Sequence, residues 1–192
     1  MNTSNTPIEK YKQFISEQKN DMTVISDNAR VRLRAKIEEL EEFATQISAQ
    51  EGKVMEGCVS VIEPGNKYQS LPINNDLLEI YRAMKIWILV NVAPMHDGGN
   101  FILSVQSEVT SVISSVENSS QAFLSTMFDY HMDRSLLTEK LRKFPQFTDV
   151  VTSLQRFDRK MYIDMLVSVR SIRDDAAQVL DVIQKNENHI IE

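Results

Sequence analysis

An all-α, antiparallel bundle of four long helices is what this sequence predicts, on three observations. Glycine and proline are scarce, five of each in 192 residues. Past Pro72 only Pro94, Gly98, Gly99 and Pro145 remain, and they divide the rest of the chain into runs 73–93, 101–144 and 146–192. Glycine reaches positive φ freely and proline cannot occupy a helix interior without losing a hydrogen bond, so these residues mark the breaks. Within each run, apolar residues recur at steps of three and four, which places them on one helical face. The connections after the second and third helices are short, so neighbouring helices run antiparallel.

The first helix is predicted over about 7–50. Thr6, Pro7 and Glu9 form a start signal: a capping hydroxyl, a proline suited to the first helical position, and a carboxylate able to reach back. Ile8, Tyr11, Ile15, Met22, Ile25, Ala29, Ile37, Leu40, Ala44 and Ile47 then form one apolar stripe. Arg30, Arg32, Arg34 and Lys36 alternate with Val31, Leu33 and Ala35 inside it. Two readings of this basic cluster stay open: a binding patch, or a solvated or intersubunit face paired with the acidic 38–42 segment.

Residues 51–72 hold three glycines and Pro64 without sustained periodicity and read as a linker. It is long for a compact domain, so it is either functional or poorly ordered. Cys58, the single cysteine, lies in it. Nothing nearby would activate the thiol, and one cysteine excludes an intrachain disulfide and fits a reducing compartment.

The second helix is predicted over about 74–93, with Asp76 and Glu79 at capping-box spacing. It carries two apolar stripes, Leu77, Tyr81, Met84 and Ile88, and Ile80, Trp87 and Val90. A helix apolar on two sides packs within its own subunit and also against another surface, which suggests an oligomer interface. The segment 94–100 (Pro-Met-His-Asp-Gly-Gly-Asn) is the break between two long runs, and short loops on rigid helices favour contact residues.

The third helix is predicted over about 101–143, with Ile102, Val105, Val109, Val112, Val116, Phe123, Met127, Tyr130, Leu137 and Leu141 as its stripe. The serines and asparagine of 114–120 are poor helix formers and mark the place for a kink. Pro145 ends this run, because proline disfavours helix in the residue before it. The fourth helix, about 148–189, starts at a cap on Thr148 or Asp149. Its stripe is the cleanest: Val150, Leu154, Phe157, Met161, Met165, Val169, Ile172, Ala176, Val179 and Ile183.

Composition narrows the function. A net charge of −6 argues against nucleic acid as the main partner, since phosphate neutralisation needs clustered positive charge. The N-terminus has neither the basic nor the apolar segment of a signal peptide. The most apolar run, 86–93, is far shorter than the roughly 20 residues that span a bilayer. The chain is expected to be cytoplasmic or nuclear, with no membrane partner. His96, His131 and His189 are scattered, none follows a Glu by three residues, and Asp129 and Asp133 share a face that His131 leaves. No phosphate loop, nucleophile elbow or CxxC is present. The expectation is therefore no catalytic residue, no metal and no cofactor.

From Trp87 onward the chain resembles the 11S (REG-type) proteasome activators, over roughly 74–192 and more diffusely in the first helix at 36–43. Two segments carry the likeness. The first is Asp97-Gly98-Gly99-Asn100-Phe101 followed by Val105-Gln106. The second is Lys143-Phe144-Pro145, then Asp149, Asp158, Tyr162, Arg173, Asp181, Ile183, Lys185 and Asn186.

The resemblance implies a non-enzymatic, ATP-independent activator, a homoheptameric ring of four-helix subunits that binds the α-subunits of the 20S proteasome. The loop between the second and third helices is then the activation loop that holds the gate open. Carried over residue by residue, it is Met95, His96, Asp97, Gly98, Gly99, Asn100 and Phe101. Gly99 stands where the family has Asn, Ile102 where it has Gly, and Pro94 lies one position later than its counterpart. A family tail docks by its terminal carboxylate. Here Ile190, Ile191 and Glu192 stand near where that tail would begin, either as an unusually short tail or because a segment is lacking. On periodicity alone, 94–100 is a plain helix connection, and a structural or adapter bundle with no effect on the proteasome is the alternative reading.

Overall fold

The computed structural model describes residues 7–49, 52, 73–92 and 99–191. Four helices account for nearly all of them: α1 (Pro7–Ser48), α2 (Asn75–Val90), α3 (Gly99–Lys143) and α4 (Thr148–Ile191). Each packs on its chain neighbours, and α4 closes the square against α1. Cross-helix contacts fix the directions. Arg30 of α1 meets Glu187 of α4 at 2.8 Å, while at the far end of α1 the Tyr162 hydroxyl donates to the Ile47 carbonyl. Lys85 of α2 pairs with Glu117 of α3, and the Tyr130 hydroxyl of α3 donates to Asp158 of α4 at 2.9 Å. Arg30 beside Glu187 and Ile47 beside Tyr162 set α1 and α4 antiparallel; Lys85–Glu117 with Asn91–Gln106 does so for α2 and α3, and Tyr130–Asp158 with Phe101–His189 for α3 and α4, as expected for an up-down-up-down bundle.

The clean α4 stripe is the spine of the core. Met161, Met165, Val169, Ile172, Ala176, Val179 and Ile183 are all buried. Leu33, Leu40, Ala44 and Ile47 of α1, all six apolar inward residues of α2, and Val109, Ile113, Val116, Phe123 and Met127 of α3 face them. Burying such a side chain stabilises by about 1.5–3 kcal/mol relative to exposure. The 114–120 segment does not break α3, which is helical without interruption; Ser119 and Ser120 each donate back to a carbonyl one turn earlier.

Helix length shapes the ends. At 1.5 Å per residue, α3 (45 residues) spans about 67 Å and α2 (16 residues) about 24 Å. Past the start of α2, α4 is the only described helix beside α3. That hairpin is held by Asp158, which accepts from Tyr130 and from Arg134 Nε at 3.0 Å, with Phe157 stacked on Tyr130 at 5.3 Å. Burial above all, and then Asp158, push the Tyr130 phenol above its ordinary range.

The first half of α1 departs from the sequence expectation. Ile8, Tyr11 and Ile25 are exposed, because α2 and α4 end close to where Arg30 meets Trp87 and Glu187. Met22, of the same stripe, still packs on the edge of the core. Leu33, assigned to the basic alternation, is instead fully buried. The basic residues also choose partners other than the 38–42 segment. Arg30 pairs with Glu187 and Asp27, Arg32 with Asp76, and Lys36 with Asp76 as well as Glu39. Only the last of these lies in that segment.

Three corrections concern α2. Its cap is Asn74, whose side chain accepts from the Leu77 amide, and Asp76 is freed to pair with α1. The second stripe does not face outward: Ile80 and Trp87 are fully buried in the subunit, and the exposed apolar row is Ile86, Leu89 and Val92. α2 also ends at Val90 and α3 begins at Gly99, so the helix boundaries differ from 93 and 101 by two or three residues.

Asp175 offers a check on the electrostatics of the core edge. Burial first, and the charge of Asp174 second, push its carboxyl above the usual carboxylate range. A raised folded pKa means that the fold favours the protonated form. That contribution is complete below the unfolded value and is lost as pH rises through the folded one. Asp175→Asn is expected to raise the melting temperature at pH 7 by about 1–2 °C, with the gain vanishing near pH 3. Thermal melts at the two pH values check it.

Candidate functional site

The end of the bundle where α2 stops, α3 starts and α4 stops is built by caps and cross-links. Asn91 closes α2: its backbone amide donates to the Trp87 and Ile88 carbonyls, and its side-chain amide donates to the Trp87 carbonyl at 2.9 Å. Asn91 is itself buried. Its own carbonyl is taken by Gln106, whose Nε2 lies 2.8 Å away. The same nitrogen donates to the Ile190 carbonyl in the last turn of α4, at 3.1 Å. Phe101, in the first turn of α3, sets its ring edge-on to His189 of α4 with centroids 5.4 Å apart.

Beside this junction lies a groove of about 420 Å³ between α2 and α3. Ile88, Leu89, Val92 and Leu103 give it an apolar floor, and Ser107, Thr110, Ser111 and Ser114 line its other side. On the neighbouring edge, the Arg30 guanidinium lies 4.9 Å from the centroid of the Trp87 ring, a cation–π contact, while holding Glu187.

The residues expected to act sit around this junction as follows. Met95, His96, Asp97 and Gly98 lie outside the described residues, as do Thr6, Cys58 and Glu192. Gly99 and Asn100 belong to the first turn of α3 rather than to a loop. Phe101 is 63% exposed although its ring touches His189. Ile190 is fully buried, so its side chain belongs to the core, whereas Ile191 is half-exposed. Gln106, Asn91 and His189 are the residues that sequence reasoning left without a role. The signal for Gln106 was present: it sits three residues before Val109 and seven before Ile113, on the buried seam itself.

The geometry defines a class: a four-helix bundle in which the helix ends flanking the α2–α3 connection are tied to each other and to the end of α4. The comparisons with known proteins then narrow it. Residues 69–192 match the family described as proteasome activator PA28, C-terminal, and the chain belongs to that family. The matched stretch takes in α2, α3 and α4. Human proteasome activator complex subunit 3 is 27% identical over 110 residues, 57% of this chain and 43% of the human protein. Proteasome activator 28 of Dictyostelium discoideum is 25% identical over 126 residues, 66% of this chain and 55% of that protein. The chain therefore spans about half the length of the curated relatives it matches. The crystal structure of the 11S subunit of the Plasmodium falciparum proteasome, PA28, superposes with a TM-score of 0.67 at 19% identity. It covers 100% of this chain and 97% of that one, which establishes the shared fold.

Proposed function

We propose that this chain is an ATP-independent activator of the 20S proteasome. It assembles with copies of itself into a homoheptameric ring, docks on the proteasome α-subunits, and holds their gate open through residues 95–101. The observation that carries this reading is the tied junction of α2, α3 and α4, in a chain of the PA28 family, which sets the exit points of the 93–98 connection. The chain acts as a regulator and not as an enzyme, in the cytoplasm or nucleus, without cofactor, nucleic acid or membrane.

A ring built from one repeated interface closes by symmetry and displays identical connections at fixed radius. Weak contacts then act together, since each docked subunit raises the effective concentration for the next. The exposed row Ile86, Leu89 and Val92, beside the α2–α3 groove, is the surface we assign to self-association. The gate shifts only as far as the ring prefers its open form to its closed form.

The test is hydrolysis of small fluorogenic peptides by the matched 20S particle with added full chain, alongside native mass measurement. A multiple-fold rise in rate and a heptameric mass are expected. No rise from an assembled ring would sink the activator reading in favour of a structural or adapter bundle, and a monomer would sink the ring.

A further inference from the structure

We propose that Gln106 is a positioning residue that mechanically couples the connection between α2 and α3 to the C-terminal end of α4. This rests on the activator reading, in which the connection meets the proteasome gate, together with the expectation from the family resemblance that the chain docks from the end of α4. Gln106 is 3% exposed, and one side-chain nitrogen donates to two carbonyls that are far apart in sequence, Asn91 and Ile190. Both carbonyls lie at helix C-termini, where backbone acceptors lack partners in their own helix. A separate cap for each helix end would satisfy them equally well. Sharing one amide does something more: α2 and α4 cannot shift relative to each other, or to α3, without breaking a buried hydrogen bond.

The Phe101–His189 contact adds a second link between α3 and α4 at the same level. The entry to the connection (Asn91), its exit (Phe101) and the α4 end (His189, Ile190) are thereby tied within two turns of Gln106. When the α4 end seats on a partner, its position is passed to the 93–98 connection through this amide.

The test uses the full chain with Gln106→Met, which removes both donated hydrogen bonds at similar shape, and Gln106→Glu, which sets an acceptor against two carbonyls. At concentrations saturating the 20S particle, maximal peptidase stimulation is expected to fall about fivefold in Gln106→Met, the low end for two lost hydrogen bonds, and further in Gln106→Glu. The half-saturating concentration and the oligomer mass stay as in the parent. A half-saturating concentration that rises with no fall in maximal stimulation, or no change in either, overturns the coupling.

Hydrogen exchange on the free protein gives a readout independent of the proteasome. In Gln106→Met, amides at 88–92, at 101–105 and at 186–191 are expected to exchange faster together, by about fivefold, with the α3–α4 hairpin unchanged. Acceleration confined to one of these segments overturns the proposal even if the parent protein stimulates strongly. Joint acceleration sustains it as a property of the fold even if the activator reading fails.

Discussion

Replacing residues 97–100 with Ser-Ala-Ser-Ala is expected to cut maximal stimulation of the 20S particle by at least about tenfold while leaving ring assembly intact. The magnitude follows from what a gate requires. Moving a two-state equilibrium from mostly closed to mostly open takes about 5.5 kcal/mol of differential binding. Shared among the seven subunits of the proposed ring, each connection needs to supply only about 0.8 kcal/mol, the net worth of one ordinary hydrogen bond. Removing that small preference from every subunit at once returns the gate to its closed population. Docking energy that does not distinguish open from closed is retained, so the half-saturating concentration should stay within about threefold. Activity preserved in this variant would remove 97–100 from the mechanism while leaving assembly and docking untouched. The result also separates the connection from its anchor: this substitution spares Gln106 and the caps around it, whereas Gln106→Met spares 97–100.

How much of this was legible beforehand depends on whether one helix or two decide the matter. The α4 stripe from Met161 to Ile183 read correctly because that helix has partners along this whole length, so periodicity and burial coincide. For α1 they part company. Ile8, Tyr11 and Ile25 have the spacing of a buried face, but spacing carries no information about where a neighbouring helix ends. The seam of α3 was rotated by a small angle: the buried line is 106, 109, 113, 116, 120, 123, 127 and 130, and it includes Gln106 and Ser120, which a search for apolar residues passes over. Capping showed the same limit. Asn74, Asn75 and Asp76 are all competent caps, and tertiary pairing of Asp76 with Arg32 and Lys36 decided which of them took the role. The junction itself was legible only as a likeness to a family, because a Gln that bridges two helix ends leaves no periodic mark.

The largest effect on stability is expected at Trp87. Its side chain is fully buried, at the level where α1, α2 and α4 converge, and it offers the face on which Arg30 rests. α2 has only 16 residues, and helices in proteins draw most of their stability from packing, so its persistence depends on its six buried side chains. Trp87→Ala should cost about 3–5 kcal/mol, from lost transfer energy and the cavity left behind. That is a third or more of the stability of many domains, about 5–15 kcal/mol in all. Trp87→Phe should cost less than half as much. The indole Nε1 has no hydrogen-bond partner among the described residues, so phenylalanine gives up volume but no polar contact with them, and it still offers a ring to Arg30. Urea denaturation of both variants at one protein concentration measures the difference, with concentration held fixed because assembly contributes to apparent stability. Equal losses in the two variants would mean that the N–H, and not the bulk of the indole, holds α2 in place. Because Asn91 follows Trp87 by one helical turn, Trp87→Ala should also speed hydrogen exchange at 88–92, which connects the packing of α2 to the junction that sets the exit of the connection.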